Sequence, residues 1–186
     1  MSLCLGYCER LPICKQRMHQ PAIELDIVYH LAEYDETLFV EEDPRIAQAA
    51  RWIAEQFKHR KFYASIAIVD DATMRQLNSE RLGHDWPTDV ISFVLDELDG
   101  SVEGEVIASA QTASQVCSAA GWSALDELLL YIVHGLLHVA GMDDIESEDR
   151  QAMRLMEREC LMAVGLAQAE QHVLRFDSIN HSEINE

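Results

Sequence analysis

The chain has 186 residues, 48% of them hydrophobic, with 33 acidic residues against 14 lysines and arginines and a formal net charge of −19. That length fits one domain able to bury a core, and the composition is that of a globular protein rather than a disordered or fibrous one. No apolar run reaches the ~18–20 residues of a bilayer span, and the first residues lack the uninterrupted apolar stretch of a signal peptide, so a cytoplasmic protein with no membrane partner is expected.

In chain order, residues 1–20 read as a loosely ordered extension. Cys4, Cys8 and Cys14 fall there at a spacing that matches no common zinc knuckle. Residues 21–176 read as a single domain and 177–186 as a disordered tail. Within the domain, 22–29 alternates as a strand does, and Asp43-Pro44 opens a helix to Lys58 with Ile46, Ala49, Ala50, Ile53 and Phe57 on one face. Residues 62–69 form a second strand, and Asp70 and Asp71 cap a short helix carrying Met74 and Leu77. Strands at 90–95 and 103–108 follow, joined by the Asp99-Gly100 turn. Helices at about 110–120, 124–139 and 146–164 close the domain, with Gly121, Gly141 and Gly165 where they should stop. Cys117 and Cys160 fall at helical positions and read as small core residues. The expected fold is α+β: a mixed, roughly four-stranded sheet packed with about five helices.

Chemistry concentrates at the end of the 124–139 helix. Ser123 can cap it, and Leu128 to Val139 is apolar nearly all round, so the helix is buried. His134 and His138 interrupt it at i and i+4, which projects both imidazoles from one face. Gly141 allows a sharp turn, after which Asp143 or Asp144 can return over that face; Asp144 completes the pattern His-x3-His-x2-Gly-x2-Asp. Three ligands, His134, His138 and Asp144, leave a position for water, as in a catalytic zinc site. The same spacing occurs in metzincin proteases, but Gly135 stands where they carry their general-base Glu. That argues against peptide hydrolysis.

The segment His134-Gly-Leu-Leu-His138-Val-Ala-Gly141-Met-Asp143-Asp144 closely resembles the YbeY family of single-strand-specific endoribonucleases of ribosomal RNA maturation. A second block agrees: Asn78, then Gly83-His84-Asp85-Trp86-Pro87-Thr88-Asp89-Val90-Ile91-Ser92-Phe93. So does Gly104-Glu105-Val106-Ile107, with Glu105 where the family usually has Asp. The resemblance covers roughly residues 22–165. It implies one zinc ion per chain, while the carboxylate of Asp144 makes manganese or magnesium lesser candidates. It also implies hydrolysis of single-stranded RNA in 16S rRNA maturation and ribosome quality control, and the small ribosomal subunit or its proteins as partners.

Two departures bear on the site. Asp144 stands where the family usually has a third His, which lowers the positive charge of the centre and makes a coordinated water less acidic. Leu82 stands where the family often has a functional Arg, and Arg81 beside it is expected to take over the phosphate contact. His84 is a further candidate for substrate contact or proton transfer. Thr88, Asp89 and Ser92 either face the site or hold their own strand opening by local hydrogen bonds. No residue qualifies clearly as a general base.

Charge is distributed unevenly. Between Arg81 and Arg150 there are fourteen acidic residues and no lysine or arginine. RNA would therefore be gripped by one group at Arg51, Lys58, Arg60, Lys61, Arg75 and Arg81, and by another at Arg150, Arg154 and Arg158. The alternative for the second group is surface pairing along the helix, as between Glu146 and Arg150. The acidity also motivates two rival readings: a ribosome-associated assembly factor with a structural metal, and a metallohydrolase for a small molecule. Oligomeric state is open.

Overall fold

The computed structural model describes residues 20–31 and 43–171. The three N-terminal cysteines and the 177–186 tail lie outside the described residues. Four strands, β1 (Ala22–His30), β2 (Lys61–Val69), β3 (Val90–Leu98) and β4 (Ser101–Ser109), form one sheet in the order β1-β2-β4-β3. β1 and β4 run parallel to β2, and β3 runs antiparallel to β4 at the edge. Five helices accompany them: α1 (Pro44–Gln56), α2 (Asp71–Leu82), α3 (Ala110–Ala120), α4 (Ala124–Val139) and α5 (Ser147–Ala163), with a 3-10 turn at Ala167–Gln171. This is the expected α+β fold with a mixed four-stranded sheet.

The period-2 pattern decides which face of the sheet is covered by what. Phe62, Ala64, Ile66 and Ile68 of β2 share the main core with α1, α3, α4 and α5, together with Val102, Val106 and Ala108 of β4. The alternate residues Val69, Ile91 and Ile107 form a smaller cluster on the opposite face with Met74 of α2. No single helix among the described residues is long and apolar enough to cross a membrane. The apolar length of α4 is instead spent on burial in the core.

Element ends differ from the expectation where backbone geometry intervenes. α1 stops at Gln56 rather than Lys58, because Lys58 takes a left-handed conformation (φ 59°) and His59 N donates to the Ala54 carbonyl. β3 and β4 continue right up to the Asp99-Gly100 turn. Both turn residues have positive φ, so the turn twists with the strands and the ladder closes at Leu98 and Ser101. Cys160 is fully buried, and burial pushes its thiol up to about 12; Cys117 is only half-buried.

Two glycines bring α4 down onto the sheet. A Cβ on Gly135 would meet Val106 Cγ1 at 2.6 Å and Val90 Cγ2 at 3.3 Å, and one on Gly104 would meet both Val139 methyl groups at 2.5 Å. Helix and strand thus each supply a glycine to receive the other's valine. Gly135 faces β3 and β4, so a glutamate there would run into the sheet. The position lacks both the protease base and the room for one.

Candidate metal centre

α4 starts with a capping box. Ser123 Oγ accepts from Asp126 N at 3.2 Å and donates to Asp126 Oδ2 at 2.7 Å. Arg45 of α1 donates to Asp126 Oδ1 at 2.6 Å and is also tied to Asp43 at the N-cap of α1. Burial disfavours the charged form of Asp126, but its hydrogen bonds to Arg45 and Ser123 outweigh it and hold the carboxyl below its ordinary range. These contacts fix the buried helix in place, and with it the two histidines about two and three turns further on.

His134 and His138 present their Nε2 atoms to each other at 3.0 Å. The opposite ring nitrogens are both anchored. His134 Nδ1 lies 2.7 Å from Glu157 Oε1 of α5, and His138 Nδ1 lies 2.9 Å from the Met142 carbonyl. A carbonyl can only accept, and so can an ionised carboxylate, so each Nδ1 carries a proton, and in the neutral imidazole this leaves the lone pair on Nε2. In that tautomer the two lone pairs converge on one point, where a shared cation can accept both. Asp144 completes the group, its Oδ1 3.7 Å from His138 Nε2 and its Oδ2 3.8 Å from His134 Nε2. These are the three residues among those described whose donor atoms gather closely enough to hold one ion. Zinc–nitrogen bonds of about 2.0–2.1 Å can span the imidazole pair, and two imidazoles with one carboxylate suit zinc. The donor set fits the metal.

The choice between Asp143 and Asp144 is settled by the turn. Asp143 Oδ1 accepts from Asp144 N at 2.7 Å and from Ile145 N at 3.3 Å, closing a local side-chain turn that aims Asp144 at the histidines.

Glu157 was not legible as a site residue from the sequence. It sits one turn after Met153 on the apolar side of α5 and is fully buried. Besides orienting His134 it accepts from Arg154 at 2.8 and 2.9 Å. This is the carboxylate–histidine arrangement that fixes a ligand's tautomer and raises its basicity. A glutamate on the buried face of an otherwise amphipathic helix was the signal that could have found it.

Five of the basic residues read as phosphate contacts, Arg60, Arg75, Arg81, Arg150 and Arg154, have partners for their side chains inside the protein. Arg150 donates to the carbonyls of Asp144 (3.1 Å) and Ile145, so it braces the ligand loop; the expected Glu146 contact is a backbone one, with Glu146 at the N-cap of α5. Arg154 serves Glu157. Arg81 pairs with Glu105 and lies over the Phe93 ring at 5.1 Å. Glu105 and Phe93 are register partners on the α2 face of the sheet, the face opposite α4. Leu82, 47% exposed, is the residue that α2 turns into a groove along the start of β3.

That groove, about 270 Å³, is lined among others by Asn78, His84, Trp86, Thr88, Val90 and Ser92. Thr88 Oγ1 donates to Asp89 Oδ1 at 2.9 Å, which also accepts from Val90 N at 2.9 Å, so these two residues form the strand opening by their own hydrogen bonds. Ser92 and Thr88 line the groove; Asp89 supports it. The groove adjoins the metal helix through Val90, which packs on Gly135 beside His134.

The sequence profile of a family described as endoribonuclease YbeY matches residues 30–165. The chain belongs to the YbeY family. An endoribonuclease YbeY of Rhodopirellula baltica is 46% identical over 103 residues, which are 54% of this chain and 53% of that protein. One from Halalkalibacterium halodurans is 32% identical over 162 residues, covering 79% of this chain and 99% of that protein. The chain thus spans about half the length of the first relative and nearly all of the second. The fold is shared with a Thermotoga maritima protein solved in solution: TM-score 0.54 and 23% identity, over 75% of this chain and 88% of that one.

Proposed function

We propose that this YbeY-family protein is a zinc-dependent endoribonuclease that cleaves single-stranded RNA, acting in the cytoplasm on 16S rRNA during maturation and quality control of the small ribosomal subunit. The observation that carries the metal dependence is the pair of Nε2 lone pairs facing each other at 3.0 Å beside the Asp144 carboxylate. The family membership and the endoribonuclease names of the relatives support the substrate class. His134, His138 and Asp144 would hold one zinc ion per chain. Bound there, it would supply a Lewis acid for a phosphoryl oxygen and lower the pKa of an attacking water.

The chain's own residues do the rest. Glu157 and the Met142 carbonyl keep both imidazoles in the ligating tautomer, and Arg150 holds the Asp144 loop. The groove along β3 positions the strand, with Thr88 and Ser92 as hydrogen-bonding groups in its wall. His84 is placed at the groove, where it can touch a substrate. A second reading, an assembly factor with structural metal and little turnover, is favoured by one observation. Arg75, Arg81, Arg150 and Arg154 are engaged inside the protein rather than presented to phosphate.

The test is a comparison of the wild type with His138→Ala. Elemental analysis should find zinc in the wild type and its loss in the variant, and cleavage of single-stranded RNA should fall by more than the ~10–100-fold typical of changes beyond the ligands. Zinc bound without turnover supports the assembly-factor reading. Cleavage unchanged in His138→Ala refutes the metal mechanism.

A further inference from the structure

The stretch between α2 and β3 carries two aromatic rings that the metal chemistry does not use. Trp86 is 56% exposed, and the His84 ring stacks on it with centroids 4.6 Å apart and planes 11° from parallel. A large exposed indole is unusual unless it meets a partner. This one is held ready by the chain around it. Gly83 ends α2 in a left-handed conformation, and His84 N donates to the Asn78 carbonyl. Asn78, 2% exposed, turns its amide back to donate to the Trp86 carbonyl at 2.7 Å. Arg75 grips Asp85, between the two rings, through two bonds of 2.8 Å. Those ties fix the residues on both sides of each ring, so little ordering entropy remains to be lost on binding.

From this we propose that His84 and Trp86 form a stacking platform for an unpaired nucleobase of the strand bound along β3. The inference rests on the endoribonuclease reading and extends it to how the strand is recognised. Three observations favour a base over other occupants. The platform is a flat π surface, which any base can stack on and a paired base cannot reach. It opens into the same groove that Val90 connects to the metal helix. Val90 follows Trp86 by four positions, a reach of at most about 14 Å, so a base on Trp86 belongs to a nucleotide close to the scissile one. The charge of the chain supplies the remaining reason. With Arg75 and Arg81 paired to carboxylates and fourteen acids from residue 82 to 149, few cations are left beside the groove for phosphate, and stacking is the main source of affinity there. Selection of single strands then follows from the platform itself.

The experiment measures binding of a short labelled single-stranded RNA by anisotropy, with cleavage followed in parallel and a duplex of the same sequence as control. Zinc-loaded wild type, Trp86→Ala, Trp86→Phe and His84→Ala are compared, each checked for folding by thermal melting. Trp86→Ala should weaken single-strand binding by about tenfold or more, with the loss in KM rather than kcat. Trp86→Phe should recover most of it, while losing the quenching of tryptophan emission that RNA causes in the wild type. The dependence on salt should be shallow and the same in all four proteins. If Trp86→Ala binds single strands as the wild type does, or loses duplex binding equally, the platform is refuted while wild-type cleavage leaves the endoribonuclease reading standing. Should that variant not fold, His84→Ala and RNAs with single abasic positions decide, since removing either ring or base must weaken binding. A wild type that neither binds nor cleaves single-stranded RNA overturns both.

Discussion

The two ends of α4 are built from similar side chains and come to opposite results. At its N-terminus Asp126 accepts from Arg45 and Ser123, while Arg45 spends its remaining donors on Asp43. Donors meet acceptors and the cluster closes on itself. At the C-terminus the hydrogen-bonding protons of His134 and His138 point outward, to Glu157 and the Met142 carbonyl, and what converges in the middle is two lone pairs and a carboxylate. In that tautomer acceptors meet acceptors there, a set that one cation can complete. A charged cluster is structural when its donors and acceptors balance, and a site when they do not.

This contrast can be broken from either end. The largest effect after loss of a ligand is expected from Glu157→Gln. The carboxamide can still accept from His134 but lacks the charge that raises the ligand's basicity, so zinc affinity should fall about 10–100-fold in a competitive chelator titration. An unchanged affinity would mean that Glu157 serves only packing and Arg154. Next comes Gly135→Ala, which tests whether the histidines depend on the seating of α4. The added methyl meets Val106 at 2.6 Å and should cost about 1–3 kcal/mol in denaturant unfolding, with weakened metal binding as the helix is displaced. Wild-type stability in that variant would show that the helix has slack.

The smallest effect belongs to the closed end. Asp126→Asn should cost about 1 kcal/mol near neutral pH. The carboxyl of Asp126 is held below its ordinary value near 3.8, so it adds stability above that pH and loses it as the pH falls through the lower, folded value. The two proteins should therefore converge in acid, and zinc content should be the same in both. A variant that loses zinc would show that the two ends are not separable.

Much of this was legible in the residue pattern because the relevant interactions are local. Period-2 and period-3.6 spacing placed all four strands and five helices, and the i,i+4 spacing of His134 and His138 fixed their common face before any tertiary contact was known. The Asp99-Gly100 turn was equally local, since its two positive φ values are a property of those residue types. Asp144 was visible as a candidate, but its choice over Asp143 needed the hydrogen bonds of the turn.

What tertiary structure alone decided are the partners distant in sequence. Glu157 reaches His134 across 23 positions, Arg45 reaches Asp126 across 81, and Arg81 meets Glu105 across 24. No periodicity encodes such pairs, because they arise when separately specified elements pack against one another. For the same reason Arg75, Arg81, Arg150 and Arg154 looked free to bind phosphate in the sequence and have internal partners in the fold. Local spacing determined which side chains can act together on one element. The His138 anchor at Met142 is itself local, and only the packing of α4 against α5 decided which nitrogen of His134 keeps its proton, and so which atom remains to hold a metal.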